Sequence, residues 1–146
     1  MGEAVARAGA VLLCGGLGGV MEAACRGAKR EGGLTVGLLP DANRERANRF
    51  VDVAVATGIG EARNAMVVGG ADAVIAVGGE YGTLSEIALA LRAGKPVVGL
   101  GTWELARGGH ADGGIVRAGS PEEAVELALR LAAAGDSARL HDRGAL

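Results

Sequence analysis

Aromatic residues are almost missing from this chain: its 146 residues hold one Phe, one Tyr and one Trp (Phe50, Tyr81 and Trp103). A surface that stacks nucleic-acid bases needs more rings than this. With 49% hydrophobic residues and so few rings, the core must be built from Val, Leu, Ile and Ala, the composition of parallel α/β sheets. Cysteine is scarce too. Cys14 and Cys25 make neither a disulfide framework nor a zinc site, and both read as small buried hydrophobes. Positive charge is not in excess: the formal net charge is −2, which argues against a nucleic-acid or membrane surface driven by bulk charge. No apolar run approaches the ~18 residues of a spanning helix, and no signal peptide is seen. The expected location is the cytoplasm, with no nucleic acid and no membrane among the partners.

Glycine, by contrast, is abundant at 27 residues, and its placement organises the chain. The stretch Val74-Ile75-Ala76-Val77-Gly78-Gly79-Glu80-Tyr81-Gly82-Thr83-Leu84-Ser85-Glu86 reads as a buried strand, a glycine turn and a helix. Ala73 to Val77 is an apolar run of strand length, while Leu84, Ile87, Ala88 and Leu91 recur at helical spacing. Gly78, Gly79 and Gly82 permit positive φ and close approach of a ligand. The amides and positive dipole end of the helix then face the turn, where an anion such as phosphate can sit.

The remaining chain repeats this unit. Residues 3–8 read as a helix stopped by Gly9, residues 10–14 as a strand, Gly15-Gly16-Leu17-Gly18-Gly19 as a second glycine turn, and residues 20–31 as a helix stopped by Gly32-Gly33. Strands follow at residues 35–39 and 51–56, joined by the polar stretch 41–50, close to the ~10–12 residues that a parallel crossover needs. Thr57-Gly58 opens a helix over residues 59–68. Residues 97–100 form a strand, 101–114 a glycine-rich segment and 115–118 a short edge strand. Ser120-Pro121-Glu122-Glu123 carries the marks of a helix start, with Ser as N-cap, Pro at the first position and Glu123 completing a capping box. That helix should run to about residue 134, with 136–146 a flexible tail. Strands alternating with helices predict a three-layer, doubly wound parallel α/β sheet as a single ligand-binding domain over residues 1–135. In such a sheet the turns at 15–19, 57–58, 78–83 and 101–103 emerge on one carboxyl rim.

Taken together, Gly15-Gly16-x-Gly18-Gly19-Val20-Met21-Glu22, Gly33 to Gly37, Arg63-Asn64-x-x-Val67, Gly82-Thr83-x-x-Glu86 and Gly94-Lys95-Pro96-Val97 resemble the LONELY GUY (LOG) superfamily. These Rossmann-like proteins were long mislabelled as lysine decarboxylases. The resemblance covers roughly residues 4–130. Arg63-Asn64 followed by the Gly-Thr-Leu-Ser-Glu loop looks most like the branch that includes molybdenum-cofactor carrier proteins. The cytokinin-activating phosphoribohydrolases of the superfamily instead carry Pro-Gly-Gly-x-Gly-Thr-x-x-Glu and an Arg-Lys pair. Here Gly78 stands in place of that Pro, Glu80 in place of a Gly and Asn64 in place of the Lys. The family's usual first strand has no counterpart ahead of residue 4. Its loss would leave two central strands with unpaired backbone, so either an upstream segment or a rearranged sheet is expected.

The resemblance implies that Arg63 and Glu86 are the catalytic pair of any enzyme of this type, an arginine and a ribose-contacting carboxylate. Such a pair suits an oxocarbenium-like transition state. It implies ligand binding by Gly15, Gly16, Gly18, Gly19, Gly78, Gly79, Gly82 and Thr83. Thr83-x-x-Glu86 also reads as a capping box. Arg44, Arg46 and Arg49 read as a solvated connection within reach of an anion, and Trp103 as a residue packed at an interface or under a loop. His110 has no cysteine or second histidine nearby, so no metal site is expected. Neither Lys29 nor Lys95 suggests a Schiff base, so pyridoxal-phosphate chemistry has no support. Two functions follow from the resemblance. One is a carrier that binds a phosphorylated nucleotide- or pterin-type ligand, the molybdenum cofactor or a nucleotide monophosphate, and requires no cofactor of its own. The other is a nucleoside 5′-monophosphate phosphoribohydrolase that cleaves the N-glycosidic bond. Asn64 and the altered loop favour the carrier. The resemblance also implies a homodimer or higher oligomer.

Overall fold

Three helices end where glycine reverses the chain. At Gly9, Gly32 and Gly94, with φ of 71°, 69° and 66°, the next amide reaches back five residues: Ala10 N–H to Val5 O, Gly33 N–H to Ala28 O and Lys95 N–H to Ala90 O. All three are Schellman ends, and each glycine occupies the left-handed position that a side chain disfavours. The computed structural model describes the backbone of residues 1–143 and the side chains of residues 1–135. Two compact units, Met1–Ala71 and Asp72–Leu146, divide the chain.

In the first unit, helix α1 (Gly2–Arg7) leads into strand β1 (Leu12–Cys14), helix α2 (Val20–Arg30) and strand β2 (Thr35–Leu39). Strand β3 (Val53–Ala56) and helix α3 (Asn64–Gly70) complete it. The strands lie parallel in the order β1-β2-β3. Helix α1 crosses α2 on bare backbone, because a Cβ on Gly2 would run into the Ala24 carbonyl. The core here is Val5, Cys25, Ala28, Leu39, Val67 and Val68. The link from β2 to β3 contains only a 3₁₀ turn, Arg44–Arg46; no α-helix covers this crossover among the described residues. It is fastened by Asp52, which accepts from the Thr35 amide at 2.9 Å and from Lys29 Nζ at 2.7 Å. The helix expected over residues 59–68 is instead a 3₁₀ turn, Gly60–Arg63, followed by α3. Gly58 and Gly60, at φ 66° and 61°, hold conformations that an α-helix cannot include, and so delay its start.

The second unit holds strand β4 (Val74–Val77), helix α4 (Tyr81–Arg92) and strand β5 (Val97–Leu100). An antiparallel hairpin follows, β6 (Leu105–Arg107) and β7 (His110–Asp112), then strand β8 (Ile115–Arg117) and helix α5 (Pro121–Arg143). The sheet is parallel, in the order β4-β5-β8. Both α4 and α5 pack on β4 and β5, burying Ala76, Ile87, Ala90, Val97, Val98, Ala124, Val125 and Ala128. The hairpin lies in the glycine-rich segment and turns on Gly108-Gly109, both at positive φ, the conformation that a two-residue type I′ turn requires. Ser120 caps α5 by accepting the Glu123 amide at 3.1 Å, and Glu123 reaches back to the Gly119 amide at 2.7 Å. Helix α5 continues past its expected end near residue 134 to Arg143; residues 144–146 of the expected tail lie outside the described residues.

The fold is α/β and Rossmann-like in class. Among the described residues its main strands form two parallel ladders of three, with β1 at an edge of the first and β4 at an edge of the second.

Candidate functional site

Each unit presents one glycine loop at the carboxyl end of its leading strand, and the two loops differ in construction. In the first unit, β1 delivers the chain to Gly15 and Gly16, both buried. The guanidinium of Arg63 occupies the space above Gly15, where a Cβ would come within 2.5–2.7 Å of it. Arg63 is only 5% exposed, and a cation this deep is kept only with partners, which it has. Gly16, at φ 74°, lies against Gly37, where a Cβ would sit 3.1 Å from the Gly37 Cα. Asn48 clamps the loop from the β2–β3 link: its amide donates to Gly16 O at 2.8 Å and its Nδ2 to Leu17 O at 2.9 Å. Gly15 and Gly16 are therefore packing positions. Gly18 and Gly19 are exposed, with nothing closer than 4.0 Å to a Cβ on either, and they are the part of this loop open to a ligand at the start of α2.

Beneath that loop lies a pair of thiols. The Sγ atoms of Cys14 and Cys25 are 3.6 Å apart, and Cys14 Sγ accepts from the Gly16 amide at 3.3 Å. Hydrogen bonding to Cys14, reinforced by burial, pushes the Cys25 thiol well above the ordinary thiol range. Cys25 is thus the neutral, buried group its sequence context suggested; its contact with Cys14 was not visible in the spacing.

In the second unit, β4 ends in Gly78 and Gly79, at φ 55° and 105°, and Glu80 is the N-cap of α4. The helix starts three residues earlier than expected, so Thr83 is not its N-cap and Thr83-x-x-Glu86 is not its capping box. The strongly turned Gly79 followed by extended Glu80 makes the bend, and nothing in Tyr81, Gly82 or Thr83 opposes a first helical turn. The first helical bond runs from the Leu84 amide to Glu80 O, at 3.1 Å. The amides of Tyr81, Gly82 and Thr83 therefore precede the ladder and are the donors of this helix start. Thr83 folds its side chain over Gly79, in the space a Cβ there would fill. Glu86 is half-buried in the second turn of α4. The Glu80 carboxylate is exposed and makes no cap bond to the helix.

Two residues brace this loop from the segment after β5. Thr102 Oγ1 donates to Gly78 O at 2.5 Å, and Trp103 Nε1 donates to Glu80 O at 3.3 Å. Trp103 does pack against a loop, as expected, but it also lines a cavity. That cavity, of about 320 Å³, is bordered by Gly78, Gly79, Gly101, Thr102 and Trp103. The sequence reading missed Asn48 and Thr102. Each is a lone polar residue whose contact spans more than 20 positions, and no local pattern marks such a contact.

Arg46 pairs with Asp41 at 3.2 Å and Arg49 lies over the Phe50 ring at 4.8 Å; with Arg44 they are exposed, as a solvated connection should be. His110 sits exposed on the hairpin. Among the described residues no group of three or more His, Cys, Asp or Glu is placed to hold a metal ion, and no helix is long and apolar enough to cross a membrane.

Known proteins match this arrangement closely. A structure of the molybdenum cofactor binding protein from the phototrophic bacterium Rippkaea orientalis aligns with 41% identity and a TM-score of 0.78, over 88% of this chain and 82% of that one. The molybdenum cofactor carrier protein of Chlamydomonas reinhardtii aligns with 35% identity and a TM-score of 0.76, over 90% and 84%. A protein of Archaeoglobus fulgidus is 53% identical over 100 residues, 68% of this chain and 66% of its own length. The chain thus spans just under two thirds of that relative. A family model described as the SLOG cluster4 family matches residues 1–125. The strand-glycine-helix units and the Arg63, Thr83 and Glu86 motifs all fall inside that match, and the chain belongs to the SLOG cluster4 family of the LOG-like superfamily.

Proposed function

We propose that this protein is a carrier that binds a phosphorylated pterin- or nucleotide-type ligand without transforming it, with the molybdenum cofactor as the first candidate. The observation that carries this reading is the likeness, at 41% and 35% identity, to a molybdenum cofactor binding protein and a molybdenum cofactor carrier protein. The second-unit loop supports it. Three amides and the Thr83 hydroxyl stand at the start of α4, in a form suited to a phosphate. Glu80 works against a dianion, and its exposure leaves it free to turn into solvent. In this reading Glu86 accepts a hydroxyl of the ligand and binds rather than breaks bonds, while Arg63, buried beside Gly15, lends positive potential to the first unit's own loop. A cytoplasmic homo-oligomer is part of the proposal.

The test is to load the purified protein with molybdenum cofactor and, separately, to incubate it with AMP. Saturable binding of the cofactor, weakened by Thr83→Val, together with AMP recovered intact, is the expected result. Free adenine that disappears in Glu86→Ala would overturn the carrier reading in favour of N-glycosidic hydrolysis. Light scattering of the same sample reads the oligomeric state.

A further inference from the structure

Two of the chain's three aromatic residues meet at the second glycine loop. The rings of Tyr81 and Trp103 have centroids 5.6 Å apart and planes tilted by 41°. Mutual burial does not account for the pair, because Tyr81 remains 77% exposed, and burying a large aromatic side chain is where its stabilisation arises. The indole is also fixed in place: its Nε1 donates to Glu80 O at 3.3 Å, so its orientation is set by the same turn that opens α4. Beside it lies a shallow, open depression of about 320 Å³. Gly78 and Gly101 border that space with nothing within 4 Å of a Cβ on either. The ring therefore has open room next to it.

We propose that Trp103, braced by Tyr81, is a stacking platform for a planar heteroaromatic ring of pterin or purine size, and that it sets the ring preference of the site. This rests on the reading of the 78–83 loop as the anchor for the ligand's phosphate. The tilt and the short separation leave no slot between the two aromatic rings, so the ligand ring lies on the indole face toward the cavity. The glycines at 78, 79 and 101 carry no side chain to obstruct it. A ligand bound by phosphate alone would leave the indole untouched; one that carries a conjugated ring gains the stacking contact.

Trp103 is the only tryptophan, so its fluorescence reports on this face alone. Three probes separate the parts: GMP (ring and phosphate), biopterin (ring without phosphate) and ribose 5-phosphate (phosphate without ring). The expected result is saturable quenching by GMP and biopterin, with ribose 5-phosphate binding by calorimetry and not quenching. Trp103→Leu should weaken GMP roughly tenfold and leave ribose 5-phosphate unchanged. Trp103→Phe should restore most of the GMP affinity. Tyr81→Ala, at an exposed position that cannot disturb the core, should weaken GMP a few-fold. Equal affinity for GMP and ribose 5-phosphate, or absence of quenching by both ring compounds, overturns the platform. Quenching by biopterin without any binding of ribose 5-phosphate upholds the platform and overturns the phosphate reading of the loop.

Discussion

The two glycine loops look alike as strings, yet they are built for opposite purposes. In the first unit Gly15 and Gly16 are buried, one under the Arg63 guanidinium and the other against Gly37, so hydrogen replaces a side chain because no room exists for one. In the second unit Gly78 is half-buried, Gly79 and Gly82 are exposed, and neither Gly78 nor Gly82 has an atom within 4 Å of a Cβ. Gly78 serves the backbone angle and leaves space open, Gly82 leaves space open within the helix, and at Gly79 the Thr83 side chain takes the room that a Cβ would need. A glycine motif thus marks an unusual backbone, and whether the reason is packing or access is settled by distant residues.

The sharpest way to break this contrast is to add one methyl to each loop. Gly15→Ala should cost about 3 kcal/mol, since it overpacks the site and displaces a buried guanidinium. Gly82→Ala should stay within ~0.5 kcal/mol of the parent, because α4 accepts alanine readily. Urea denaturation of both variants reads the difference, and equal costs would erase the distinction. Next in size is the acid response of the first unit. The Lys29 ammonium, with help from the Thr35 amide, holds the Asp52 carboxyl below the usual carboxylate range. The folded state favours the carboxylate, so its contribution is complete at neutral pH and is lost as pH falls below about 4. Asp52→Asn should flatten the fall in midpoint between pH 5 and 3 in a denaturation series at those pH values.

Smaller effects are expected at the open loop, and they should fall on binding. Thr102→Val removes the brace on the Gly78 carbonyl and should weaken GMP about fivefold, the equivalent of one hydrogen bond of ~1 kcal/mol. Its melting temperature should change little, because water can replace the hydroxyl at this partly exposed carbonyl. Glu80→Gln should move the other way. Removing a negative charge from the N-cap of α4 should strengthen phosphate binding by roughly two- to fivefold at low salt, and the gain should vanish at high salt. Isothermal titration at two salt concentrations checks both variants.

Much of this was legible in the residues because it is local. The helix stops at Gly9 and Gly32 and the Ser120 cap follow from chemistry contained within six residues. So do the strands at 35–39 and 97–100. The start of α4 was misplaced because three weak helix formers, Tyr81, Gly82 and Thr83, were read as turn, and the Gly79–Glu80 bend left them free to be helical. The hairpin at 105–112 went unread although its Gly108-Gly109 turn was in plain sight, since the flanking strands are only three residues each and carry no alternation. Arg63 and Glu86 stand out by motif alone, and the burial of Arg63 beside Gly15 is not legible there. The Cys14–Cys25 contact, the Asn48 clamp and the Tyr81–Trp103 pair are side-chain meetings for which no spacing rule exists.

What the chain's order of residues determined alone is the repeating strand, glycine turn and helix, because hydrophobic periodicity and backbone freedom act between near neighbours. Tertiary structure decided which glycines are walls and which are openings. It also placed two of the three aromatic rings at one loop and divided the main strands into two ladders. Those outcomes depend on groups brought together from distant positions, and contact energies between them are set by geometry that no short stretch of sequence contains.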